Sequence, residues 1–135
     1  MIVRVNLNIM HTMEKMMKKC EELKNELVNE TLEKARVNYI DFQDKMLDSP
    51  QAEVWKNSEK ICVYKNLLDY MHNELAEFPL EKLIYLRDDN LLDKLVEKHQ
   101  KLYYGSTNKD FESLINHYIE DVRREELSKD EEEME

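Results

Sequence analysis

Apolar residues recur along most of this chain at steps of three and four, the spacing of one face of an α-helix. The first ten positions, MIVRVNLNIM, depart from that spacing. Val3, Val5, Leu7 and Ile9 alternate with Arg4, Asn6 and Asn8, which predicts a half-buried β-strand over residues 1–10. Met13, Met16, Cys20, Leu23 and Leu27 then fall in one helical stripe. It resumes one position later as Val28, Leu32, Ala35, Tyr39, Phe42 and Met46, so the first helix carries a stutter or breaks between Asn25 and Asn29. One helix of about 35 residues, or two in line, outreaches a compact domain of this length, and its exposed part invites a second subunit.

The stretch DSPQAE marks the next boundary. Pro50 suits a first helical turn, Asp48 or Ser49 can cap, and Glu53 favours the positive helix start. A second helix carries Val54, Ile61, Tyr64, Leu68, Met71 and Leu75, and a short third begins at Pro79 with Leu80, Leu83 and Ile84 inward. Leu91, Leu92, Leu95, Val96, His99 and Leu102 make a fourth, ended by the loop-like YGSTNKD. Phe111, Leu114, Ile115, Tyr118, Ile119 and Val122 make a fifth. Beyond it RREELSKDEEEME offers little to bury, which predicts a frayed helix extension or disorder. The fold class is therefore all-α: an antiparallel domain of about five helices over residues 11–123, with a lone strand over 1–10 and an acidic tail over 124–135. Nothing in the chain pairs with that strand. Three answers stay open: the same strand of a second subunit, the sheet edge of a binding partner, or a structural beginning at Met10 or Met13.

Composition narrows the function. With 135 residues the chain suits one domain, and one Gly and two prolines leave no material for a glycine-rich phosphate loop. A net charge of −10 disfavours direct binding to nucleic acid or anionic membrane and favours a protein partner, particularly a basic one. Two cysteines and no secretory core fit a reduced, cytoplasmic chain, and no stretch has the length of a membrane span.

The order of features in FQDKMLDSPQAEVWKNSEKICVYKNLLDYM, LEKLIYLRDDNLLDKLVEKHQK and DFESLINHYIEDV resembles a family called domain of unknown function 3848. The resemblance covers roughly residues 25 to 125. It is carried by Tyr39 and Phe42, the turn at Pro50 with Glu53, a helix holding Glu59, and the pair Leu91 and Leu92. Asn57 and Ser58 depart from the family's Ala and aromatic residue. The resemblance implies a small acidic helical protein of a Gram-positive bacterium or its mobile elements. Such proteins often block host defence or DNA-handling proteins.

Candidate chemistry is sparse. From Glu125 to Glu135 there are seven carboxylates and one Lys over about 16 Å of helix, against roughly ten phosphates along the same length of duplex DNA. Glu125, Glu126, Asp130, Glu131, Glu132 and Glu133 thus read either as a solubilising tail or as a surface for a basic partner. Lys94, Lys98 and Lys101 share a helical face and either meet a phosphate or answer neighbouring acids. Asp69 with His72 and His117 with Asp121 do not amount to a bundle metal site, which needs two Glu-x-x-His pairs and further carboxylates. His99 reads as a satisfied, partly buried imidazole and Cys62 as core, while Cys20 follows Lys18 and Lys19 but has no base to activate it. Trp55 serves equally as core or interface anchor, and Met10, Met13, Met16 and Met17 supply adaptable apolar surface.

These features predict a non-catalytic protein-binding module without cofactor or metal. The leading expectation is a mobile-element inhibitor of a basic host DNA-handling or defence protein, of the anti-restriction or anti-CRISPR type. Its binding residues would be the acidic tail and Trp55, helped by Met13 and Met16. The alternative is a dimeric scaffold or antitoxin-like partner, joined through Val3, Val5, Leu7, Met13, Met16, Leu23 and Leu27.

Overall fold

A computed structural model describes residues 2–103 and 110–134, with side chains over 7–103 and 110–129. Among these, six α-helices and two 3-10 turns follow one another: α1 (Ile2–Leu47), α2 (Gln51–Lys56), α3 (Ser58–Glu74), a 3-10 turn (Leu75–Glu77), α4 (Leu80–Leu83), a second 3-10 turn (Ile84–Leu86), α5 (Leu91–Tyr103) and α6 (Phe111–Met134). The fold is all-α, as the periodicity predicts. The predicted loop YGSTNKD lies, apart from Asp110, outside the described residues.

The N-terminal strand is corrected: residues from Ile2 onward belong to α1, one uninterrupted helix of 46 residues and about 69 Å. Alternating Val and Leu tolerate either backbone, but a lone strand leaves its donors and acceptors unpaired. Extending an existing helix satisfies them at one hydrogen bond per residue. The drift of the stripe near Asn25 is likewise absorbed without a break. Pro50 and the restriction it places on Ser49 end the helix. Neither Asp48 nor Ser49 caps α2; Pro50 occupies that position, and the Ser49 hydroxyl donates back to the Lys45 carbonyl at 2.6 Å.

The predicted second helix is two. Asn57 adopts φ −100°, ψ 14° between α2 and α3, and its side-chain amide donates to the Glu53 carbonyl at 2.8 Å. This is the competition with helical bonding that Asn side chains offer.

The core gathers around the C-terminal half of α1. Leu27, Val28, Ala35 and Phe42 share one apolar cluster with Leu67 and Met71 of α3, Leu75, Leu83 and Leu86 of the connection, Leu92 and Leu95 of α5, and Leu114 and Ile115 of α6, which reaches it across α5 and the second 3-10 turn. Phe42 stacks on Tyr64 with ring centroids 4.0 Å apart. Buried Asn38 orients the start of α5: its amide donates to the Asp89 carbonyl at 3.0 Å, and its Oδ1 accepts from the Leu92 N–H at 3.2 Å. One of the unpaired N–H groups of that helix start is thereby satisfied from another helix. Among the described residues no buried side-chain polar atom lacks a partner.

Several inward assignments are corrected. Ile84 and Leu102 are about half exposed, and Cys62 lies on the exposed side of α3. Of the two readings for the tail, the structure has the helix extension: helical backbone continues to Met134, and every side chain described from Arg123 to Lys129 is exposed.

Candidate interaction surface

The bundle covers only part of α1. Every side chain from Leu7 to Leu23 is exposed, whereas Leu27 and Val28 are buried, so roughly the first half of the helix projects beyond the core. Along this projection Ile9, Met13, Met16, Cys20 and Leu23 repeat at steps of four and three, and Leu27 continues the same row into the core. Met10 and Met17 widen the stripe, and Met16 and Met17 are 62% and 67% exposed. Ordinary monomers rarely leave so many large apolar side chains in one row. Flanking charge is balanced: residues 7–26 hold four lysines and four glutamates in a chain of net −10.

The residues predicted for dimerisation therefore divide. Leu7, Met13, Met16 and Leu23 are exposed on the projection. Leu27, at 5% exposure, belongs to the chain's own core and is unavailable, which corrects its assignment to a seam. The side chains of Val3 and Val5 lie outside the described set, although their backbone is helical.

Trp55 is 71% exposed on α2, a helix that buries nothing, so a core role for it is excluded. It does not share a patch with Met13 and Met16. Met16 lies 31 residues, or about 46 Å, along α1 from Leu47, after which α2 begins. Near α2 a groove of about 320 Å³ is lined by Tyr39, Phe42, Met46, Leu47, Val54 and Ile61, with Leu47 82% exposed. Sequence periodicity gave no warning of it, because most of these residues also read as core.

Of the acidic tail, Glu125 and Glu126 are exposed on α6. Asp130, Glu131, Glu132 and Glu133 are in its helical backbone, with side chains outside the described set.

The lysine face answers acids of the same chain. Lys94 Nζ donates to Asp88 Oδ2 at 2.5 Å, Lys98 pairs with Asp121, and Lys101 lies 3.7 Å from Glu97. These residues line a cleft of about 440 Å³ that also contains Glu125. Its charge is mixed rather than cationic, unlike a phosphate site.

Asp88 joins that cleft to the core. Its Oδ1 accepts from the Asn90 N–H at 2.9 Å and its Oδ2 from Tyr118 Oη at 3.3 Å, in addition to Lys94. Burial raises the carboxyl pKa, but the Lys94, Asn90 and Tyr118 hydrogen bonds outweigh it and hold the group below the ordinary carboxylate range. Tyr64 Oη donates to Asp93 Oδ1 at 2.6 Å, and burial, followed by that carboxylate, pushes its phenol well up. Burial, followed by the charge of Asp88, does the same to Tyr118.

His99 is buried beside the rings of Tyr103 and Phe111, 5.3 and 6.0 Å away. The His72 ring accepts from Arg36 Nε at 3.3 Å, and Asp121 is engaged by Lys98 rather than set beside His117 as a ligand pair. Among the described residues no three His, Cys, Asp or Glu side chains gather as a metal site. Among the described residues no helix is long and apolar enough to cross a membrane.

No protein-family model matches the chain, and neither a curated protein nor a solved structure was found similar to it.

Proposed function

We propose that this chain is a non-catalytic protein-binding module whose principal recognition element is the projecting half of α1. The observation that carries this reading is the row Ile9, Met13, Met16 and Leu23, exposed on a helix that the chain's own bundle does not cover. Methionine-rich helical stripes adapt to the groove or helix they meet, and buried apolar anchors supply most of the affinity of such contacts. The exposed acids of α6, beginning at Glu125 and Glu126, supply long-range attraction for a basic partner, acting on encounter more than on affinity. Together with the family resemblance, this supports a mobile-element inhibitor of a basic DNA-handling or defence protein, at work in a reducing cytoplasm.

Affinity capture with the intact protein, washed at low and high salt and repeated with competing DNA, tests the reading. The expected result is one dominant basic partner, displaced by DNA, lost with Met13→Glu/Met16→Glu and weakened by deletion of residues 125–135. Undiminished capture after the deletion removes the acidic contribution, and undiminished capture by the double variant removes α1.

A second reading, a dimeric scaffold or antitoxin-like partner, is favoured by the balanced charge that flanks the stripe, which suits a neutral partner better than a basic one.

A further inference from the structure

The row on the projecting helix has the spacing of a two-stranded coil. With Met13 at position a, Ile9, Met16 and Leu23 occupy d positions and Cys20 a second a position. Met10 and Met17 then fall at e, and Thr12 and Lys19 at g. Burying the exposed parts of Ile9, Met10, Met13, Met16, Met17 and Leu23 on two chains removes on the order of 1,000 Å² from water, about the smallest area of a specific interface. Charge does not oppose that contact, since the segment is neutral while the rest of the molecule carries the excess of acid.

Two features fix the direction. In a parallel pair Lys19 faces Lys24 of the second copy across the g-to-e contact, a like-charge juxtaposition. The row also runs into the chain's own core at Leu27, where other helices of the bundle cover that side of α1. A parallel second helix would continue past this level into space already filled. An antiparallel one covers the exposed row before that level is reached: when Met13 faces Met16 of the second copy, Leu23 lies level with the second copy's Asn6.

We propose that the projecting half of α1 pairs with the same segment of a second copy as an antiparallel two-helix coil. Its central layers join Met13 to Met16 and Ile9 to Cys20 of the other chain, with Met10 beside the other Met17. The result is a dumbbell, one bundle at each end. This rests on the reading of α1 as a recognition element and takes the second of the two readings above, in which its occupant is another copy of the chain.

Cys20 provides the test. In a Cys62→Ser background an antiparallel coil holds the two Cys20 thiols apart, whereas a parallel coil sets them in one layer. The expected results are a light-scattering mass of twice the 16.4 kDa chain at tens of micromolar, no disulfide-linked dimer on mild oxidation, and efficient linkage once Ile9→Cys is added. Met13→Glu/Met16→Glu is expected to halve the mass and leave the melting temperature of the bundle unchanged, since neither residue touches the core. A native chain that stays at 16.4 kDa overturns the proposal, and so does efficient Cys20-to-Cys20 linkage. A native monomer whose double variant still loses a captured partner overturns self-pairing alone and leaves the recognition element standing.

Discussion

Asn38, buried on α1, ties that helix to the start of α5. It bonds both to the Asp89 carbonyl and to the Leu92 N–H, so an apolar replacement leaves a buried N–H and a part-buried carbonyl at the start of α5 without that partner. Asn38→Ala is expected to lower the unfolding free energy by ~1–3 kcal/mol, measurable by urea denaturation. Asp88 gives the acid limb of stability. A carboxyl held below its ordinary range contributes stability that is complete above about pH 4 and is lost as pH falls through its folded value. Asp88→Asn is therefore expected to flatten the acid limb of a stability-versus-pH curve, at a lower plateau. Tyr64 and Tyr118 work in the opposite direction: both phenols are pushed up, so their contribution is complete below about pH 10 and disappears at higher pH. Ultraviolet titration is expected to show these two phenols ionising above the ordinary tyrosine range. None of this was legible in the sequence. Asn38 lies between core positions of α1 and its partners are more than 50 residues away, so no local pattern marks it.

At the scale of elements, the helical stripes were readable because burial follows the 3.6-residue period, and Leu91, Leu95, Leu114 and Ile115 are fully buried as predicted. Leu95→Ala is expected to cost ~2–5 kcal/mol, since no solvent reaches that site. Met13→Ala in the monomer changes bundle stability by less than ~0.5 kcal/mol, although the two positions look alike in the sequence. The opening strand failed for a reason of the same kind. Period-2 alternation over ten residues records which side chains are apolar, but a strand also needs a neighbour to receive its backbone bonds, and the chain offers none. Asn57 shows the limit of apolar spacing from the other side: Val54 and Ile61 keep the stripe in register across a break made by one side-chain amide. The exposed end of α6 is expected to be separable from the bundle. Glu126→Pro should lower helical circular dichroism while leaving the urea midpoint within experimental error, because every side chain described from Glu126 onward is exposed and none belongs to the core.

The whole molecule combines a bundle built on the second half of α1 with a projection made by the first half, and an acidic helix end on α6. Charge and composition announced an acidic helical protein and excluded a glycine-rich phosphate loop, and helix length announced a projection. What they could not give was the boundary at Leu27, because a buried core row and an exposed docking row have the same spacing. Only the fold of the other helices over residues 27–42 distinguishes them. The acidic α6 and the apolar α1 stripe thus offer two separate surfaces, one suited to attraction at long range and one to contact. Hydrogen exchange of the α1 amides over a range of protein concentrations tests the role of that stripe most directly. Residues 7–23 are expected to exchange fast in dilute protein and to gain protection with concentration, while residues 27–42 stay protected throughout. Protection of 7–23 that is already complete in dilute monomer, or that never rises with concentration, would contradict a docking helix that a second copy covers.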